Sequence, residues 1–230
     1  MPFPSAHVSV PTTLKIQSPD LPFARPLYAV DLPKLCAIDE VLIRRSLQKE
    51  ASTSDATFVA MIPDSQTIKW HHAREEFVGG ELHGKIPQIK GAIVGDTEGQ
   101  RIWCYWTRMW YNEDPTKREE NTLHILRLVI EEKEIVDWER KEFTEADKQR
   151  YTPAIAALLK CAVEEADTWN MENVEIWNPN AITIEAAKLI YSDTQVIQRD
   201  AESICSLRWY GDDNALDKIV WLGNEKYGWC

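Results

Sequence analysis

Alternation and helical stripes divide the chain into a run of short elements. Residues 3–10 (FPSAHVSV) alternate loosely between apolar and polar and predict one strand. Pro11, Pro19 and Pro22 bound a linker-like stretch. Residues 26–30 (PLYAV) predict a short strand, Asp31 a helix N-cap, and Pro33 a place in the first helical turn. Leu35, Ile38 and Leu42, with Cys36, Ile43 and Leu47, then keep helical spacing. Residues 58–62 (FVAMI) predict a buried strand stopped by Pro63, and Asp64 caps a second helix running to about Leu82. Residues 91–94 (GAIV), the turn from Gly95 to Gly99 and the stretch 102–111 predict a hairpin. The run 123–130 (LHILRLVI) is apolar on both faces, the mark of a central strand covered on each side.

Beyond Ile130 the pattern gives way to a charged segment, 131–150, which reads as a solvated loop and helix start, with a capping-box spacing from Thr144 to Asp147. Thr152 and Pro153 open an amphipathic helix whose Ile155, Leu158, Leu159, Ala162, Val163, Ala166 and Trp169 share one face. A strand at 174–177, a helix at 182–190, strands at 194–198 and 204–210, and an edge strand at 218–222 complete the chain. Helices interleave with strands around a central three-strand meander. The fold class is therefore α/β in the α+β sense: one mixed, mostly antiparallel sheet with helices on both faces.

Composition narrows the function. With 26 basic and 37 acidic residues the charge is −11, which opposes a nucleic-acid partner. No apolar run reaches membrane-spanning length, and the first residues have neither a basic nor an apolar signal region, so the expected setting is cytoplasmic. The five cysteines are odd in number and widely spaced, with no CxxC pair, which argues against a disulfide framework or zinc knuckle. His71 and Glu75 stand four apart on the second helix, but no third metal ligand is legible, so an ion pair or a partly buried histidine is the simpler reading.

Several stretches carry a resemblance: 25–33 (RPLYAVDLP), 70–77 (WHHAREEF), 103–108 (WCYWTR), 121–127 (NTLHILR), 203–210 (SICSLRWY) and 224–230 (NEKYGWC). Together with the element order they resemble the C-terminal region of the fungal lysine N-acetyltransferases, of the GNAT superfamily. The resemblance covers nearly the whole chain. It implies a GNAT-like C-terminal domain at 23–230, with 1–22 the end of a preceding GNAT domain. It also implies acetyl-CoA as the family's cofactor, an N-terminal GNAT domain or other protein surface as partner, and a small amine as substrate.

GNAT enzymes grip the coenzyme pyrophosphate with a Gln/Arg-x-x-Gly-x-Gly/Ala loop between the central strand and the next helix, where free N–H groups face the phosphates. Here that stretch reads EEKEIVDWER, and no glycine occurs from Gln100 to Tyr210. The expectation is that this chain holds no cofactor of its own, and acetyl transfer then needs the N-terminal domain. Two alternatives stand beside it: a stand-alone acetyltransferase acting on a small amine such as lysine, and a non-catalytic small-ligand module.

Candidate substrate-binding residues are Trp106, Arg108, Trp110, His124 and Arg127; no catalytic, cofactor-binding or metal-ligating residue is assigned. On the strand 102–111, Ile102, Cys104, Trp106, Arg108 and Trp110 share one face, which is either core or a ligand groove. By parity His124 and Arg127 fall on opposite faces of the central strand. A charge there needs a partner, a substrate carboxylate or, more simply, an internal Glu or Asp.

Overall fold

The computed structural model describes residues 2–3, 6–12, 20–132, 143–199, 205–210 and 218–229. The loosely alternating start forms two strands, β1 (Pro2–Phe3) and β2 (Ala6–Pro11). Strand β3 runs Ala24–Tyr28, two residues earlier than the pattern predicts. Asp31 is the cause: its carboxylate accepts the Tyr28 N–H at 2.9 Å, and its own N–H reaches Tyr28 O at 2.9 Å. That turn closes the strand, and it leaves Asp31 at the N-cap position of α1 (Leu32–Thr53) without a side-chain capping bond.

Strand β4 (Thr57–Ala60) leads to α2 (Ser65–His83), where the Asp64 carboxylate does cap, accepting Thr67 N–H at 2.7 Å. The meander follows as β5 (Ile89–Val94), β6 (Ile102–Met109) and β7 (Thr122–Ile130). Helix α3 spans Glu145–Thr168, so it starts before the expected Thr152, with Pro153 inside it. A reciprocal capping box between Thr144 and Asp147 supplies the earlier start. Half of the charged segment, residues 133–142, lies outside the described residues. The chain continues through β8 (Asn173–Trp177), α4 (Ala181–Ile190), β9 (Val196–Gln198), β10 (Cys205–Ser206) and β11 (Ile219–Leu222), then a 3-10 turn at Lys226–Gly228. Of the strand expected at 204–210, only Cys205–Ser206 is extended pairing; Ile204 is outside the described residues.

Seven strands form the main sheet in the order β3-β5-β6-β7-β8-β2-β9, and within it only β7 and β8 run parallel. One face buries Val8, Cys104, Trp106, Leu123, Ile125 and Ile176 against α3 and α4. The other buries Leu27, Trp103, Tyr105, Leu126 and Val129 against α1 and Ile68 of α2. Helices thus cover both faces. Residues Ala6–Pro11, in the 1–22 segment, enter this sheet as β2, paired over five positions with β8. The expected edge strand at 218–222 instead joins β4 in a separate parallel pair, Ile219↔Thr57 through Leu222↔Ala60. Its apolar residues find a partner over the α1 side, not along the main sheet.

A bulge corrects the parity of the central strand. Tyr105 faces Arg127 and Trp106 faces Ile125, so Leu126 has no partner across the ladder. Before the bulge, Leu123 and Ile125 point to the α3 side; after it, Leu128 and Ile130 do. His124, Leu126, Arg127 and Val129 therefore share the α1–α2 side, and His124 and Arg127 are on one face, not two.

Candidate functional site

A parallel strand pair that ends early leaves backbone groups with no ladder partner. The β7–β8 pairing runs only from Thr122↔Asn173 to Ile125↔Ile176. Strand β8 stops at Trp177, where Asn178 turns the chain with φ +49°, while β7 continues to Ile130. The sheet opens there. A cleft of about 400 Å³ fills the opening, lined by Leu128 of β7, Trp177, the Asn178–Asn180 turn into α4, and the segment from Ile219 to Glu225.

That segment acts as a strap across the opening. The Glu225 carboxylate accepts the Leu128 N–H at 3.3 Å and pairs with the Arg127 guanidinium, taking the place a neighbouring strand would hold. Asn178 Nδ2 donates to Asn224 O, His71 Nε2 donates to Tyr227 O at 2.9 Å, and the Tyr227 hydroxyl donates to Met61 O at 2.7 Å. Burial pushes the Glu225 carboxyl above its usual range, against the pull of Arg127.

Arg127 is 2% exposed and sits between two acids. Its Nε and Nη2 donate to Asp39 of α1 at 2.9 and 2.8 Å, and the Tyr105 hydroxyl donates to the same carboxylate at 3.1 Å. Burial disfavours the guanidinium charge, but Asp39 and Glu225 outweigh it and hold the group well above its ordinary value. A second buried network lies across the sheet. Arg108 donates to Glu75 of α2 at 2.5 Å, to Ile89 O at 3.1 Å and to Glu165 of α3; Lys90 meets Glu75 at 2.8 Å. Both arginines are thus engaged by internal carboxylates.

The candidate residues divide accordingly. Trp106, Arg108 and Trp110 lie on the α3 side, Trp110 edge-on to Trp169. His124 and Arg127 lie on the α1–α2 side. None of the five lines the cleft; the C-terminal segment does. The indole N–H groups of Trp106 and Trp110 and both ring nitrogens of His124 have no hydrogen-bond partner among the described residues. His124 Nδ1 stands 3.6 Å from Glu175, and His7 of β2 stands 3.9 Å from the same carboxylate on its other side. Burial, reinforced by Lys226, Arg199 and His7, drives the His124 pKa well below its usual value. Among the described residues no cluster of three His, Cys, Asp or Glu side chains is arranged for a metal.

Sequence reasoning missed Asp39 and Glu225 and paired Glu75 with His71, whereas Glu75 meets Arg108 and Lys90 and the buried His71 bonds Tyr227 O; two of the three acids leave a trace. Asp39 sits in the apolar stripe of α1 with Leu35 and Leu42, and Glu75 in that of α2 with Ile68 and His72. A carboxylate inside a buried stripe calls for an internal cation. Glu225, on an irregular strap, leaves no such pattern.

The buried histidines predict an acid-sensitive fold. His72 donates from Nε2 to Trp106 O at 2.9 Å, and burial lowers its pKa from 6.5 to about 4. It stays neutral in the fold while the unfolded chain takes up a proton below 6.5. Its stabilisation is present above pH 6.5 and drains as pH falls toward 4, by about 3 kcal/mol. His71 and His124 shift the same way. Urea unfolding at pH 7 and pH 4.5 measures this; His72→Gln is expected to flatten the slope, and an unchanged slope refutes the assignment.

The mixed sheet with one parallel pair that opens at its end, covered by helices on both faces, is a GNAT-like fold, the class of acetyl-CoA-dependent acyltransferases. The chain belongs to the LYC1 GNAT-like C-terminal domain family, whose model matches residues 7–230. No curated protein and no solved structure matches it.

The described residues at the end of β7 do not fit acetyl-CoA in the usual GNAT mode. Where β7 ends, Glu131 is held by Arg101 through two bonds of 2.6 Å, and Glu132 pairs with Arg150 and the Tyr151 hydroxyl. Among the described residues, two acids stand at the end of β7, where the connection to α3 begins, and Glu225 occupies a backbone N–H at the opening; residues 133–142 of that connection lie outside the described residues. Among the described residues no helix is long and apolar enough to cross a membrane.

Proposed function

We propose that this chain is the non-catalytic, substrate-side domain of an acetyltransferase whose acetyl-CoA is bound by a preceding GNAT domain. The observation that carries the reading is the Glu225 carboxylate on Leu128 N–H and Arg127, at the open edge of β7. A group that is already hydrogen-bonded and buried there must be displaced, with its ion pair broken, before a thioester arm can enter. The missing glycine loop supports the same conclusion from the sequence. On this reading residues 1–22 end the preceding domain and lend β2 to this one. The acceptor is a small amine such as lysine, in a cytoplasmic pathway of fungal lysine breakdown.

A stand-alone acetyltransferase is the second reading, favoured by the cleft beside the strap. Isothermal titration separates the two. The chain is expected to show no saturable heat with acetyl-CoA at concentrations up to about 1 mM, weaker than the −4.1 kcal/mol that such a dissociation constant represents. Saturable micromolar binding overturns the proposal in favour of the second reading.

A further inference from the structure

Consecutive residues of β7 present two donors at the opening of the sheet. The β7–β8 ladder ends at Ile125↔Ile176, and beyond it the Leu128 N–H takes a side chain in place of a strand. Glu225 meets one donor with each oxygen: Oε1 takes Arg127 Nη1, and Oε2 takes the Leu128 N–H at 3.3 Å. Two donors facing two oxygens make a clamp shaped for one carboxylate.

The clamp does not depend on Glu225 for its shape. Arg127 Nε and Nη2 are held by the fully buried Asp39 at 2.9 and 2.8 Å, and Asp39 is fixed in turn by the Tyr105 hydroxyl. Pairing of Leu128 with Cys104 of β6 fixes the backbone donor. Glu225 is the exchangeable partner. It is the second anion on a guanidinium that Asp39 already balances, so replacing it by another carboxylate leaves the charge of the cluster unchanged. Burial also raises its carboxyl above the usual range. It stands between β11 and the 3-10 turn, outside any regular element.

The cleft of about 400 Å³ opens onto this position, because Leu128 and Glu225 both line it. Small-molecule sites span roughly 300–1,000 Å³. Ile176, Ile219, Val220 and Leu222, with Trp177 and Trp221, give the cleft an apolar wall. Among the described residues no lysine or arginine lines it, and Glu225 is its one charged group. We infer that Arg127 Nη1 and the Leu128 N–H form a site for the carboxylate of a small molecule with an apolar body, and that Glu225 fills it as the chain's own stand-in. The ligand's charged end lies on the clamp and its body in the cleft. Only the Glu225 side chain has to rotate; the strap stays tied through Asn178 to Asn224 O and His71 to Tyr227 O.

Acetate is the fragment that Glu225→Ala removes, and it tests the clamp. In that variant about 50 mM sodium acetate is expected to raise the melting temperature by roughly 5 °C, as a site with a dissociation constant on the order of 1 mM would. Sodium chloride and acetamide at the same concentration should give no such rise. In the ¹⁵N-labelled parent chain, hexanoate is expected to move the Leu128 amide signal saturably, and hexanol is expected to leave it in place. Glu225→Gln keeps the side-chain volume and serves where Glu225→Ala does not fold; it should bind hexanoate at least about tenfold more tightly than the parent. A parent Leu128 signal unmoved by hexanoate, or moved equally by hexanol, overturns the inference. So does acetate no better than chloride, or equal affinity in the parent and Glu225→Gln. None of these readouts involves acetyl-CoA, so the inference stands or falls apart from the role in acetyl transfer.

Discussion

Arg127→Met is expected to cost the fold about 3–5 kcal/mol, because it leaves two buried carboxylates without their cation. Asp39 is fully buried and takes two bonds from Arg127; the side chain of Glu225 is only 11% exposed and takes a third. The methionine keeps most of the volume, so the loss reports charge and not a cavity. Both acids must then ionise without compensation or take up protons, and the Tyr105 hydroxyl remains the one described donor to Asp39. Urea denaturation at pH 7 gives the loss directly. Adding Asp39→Asn should recover part of it, since the amide removes one stranded charge. A single-variant loss below about 1 kcal/mol would show that the network is solvated and not sealed.

Deleting residues 1–12 is expected to have a comparable or larger effect. Strand β2 sits between β8 and β9, so its removal opens the edge of β8 across five paired positions and detaches β9 from the sheet. Val8 is 0% and Val10 3% exposed. Burying each side chain contributes about 1.5–3 kcal/mol, a large share of the 5–15 kcal/mol typical of a whole domain. The shortened chain is expected to lose its cooperative thermal transition. A synthetic peptide of residues 1–12, added in trans, should bring it back. A truncated chain that melts within a few degrees of the parent would mean that β2 is ornamental to the sheet.

Much of the fold was legible because local rules and tertiary packing agree over most of the chain. The meander of β5, β6 and β7 follows from short apolar runs, the first two joined by the Gly95–Gly99 turn and the last two by a polar loop without glycine. Strand β7 reads as covered on both faces, and α1 and α3 lie on each side of it. The disagreements come where a side chain competes for the backbone. Asp31 turns back to Tyr28 and ends β3 early; Thr144 and Asp147 begin α3 ahead of Thr152, and the helix runs through Pro153. At the candidate site the types of residue were visible, but their grouping was not. Parity separated His124 from Arg127, and one bulge at Leu126 reunited them.

The amino-acid sequence by itself determined the element types, the charge balance and the lack of a glycine loop after the central strand, because each depends on residues close together along the chain. It also showed that Arg127 must meet an anion, since a guanidinium on a covered strand has no solvent. Only the tertiary structure decided which anions. Asp39 stands 88 positions away and Glu225 98, and no periodic pattern links them. It likewise decided that the sheet opens between β7 and β8 and that the C-terminal strap crosses the opening. Strand pairing and the burial of charge are settled by whichever distant segments can satisfy each other at once, and that choice exists only after the chain has closed on itself.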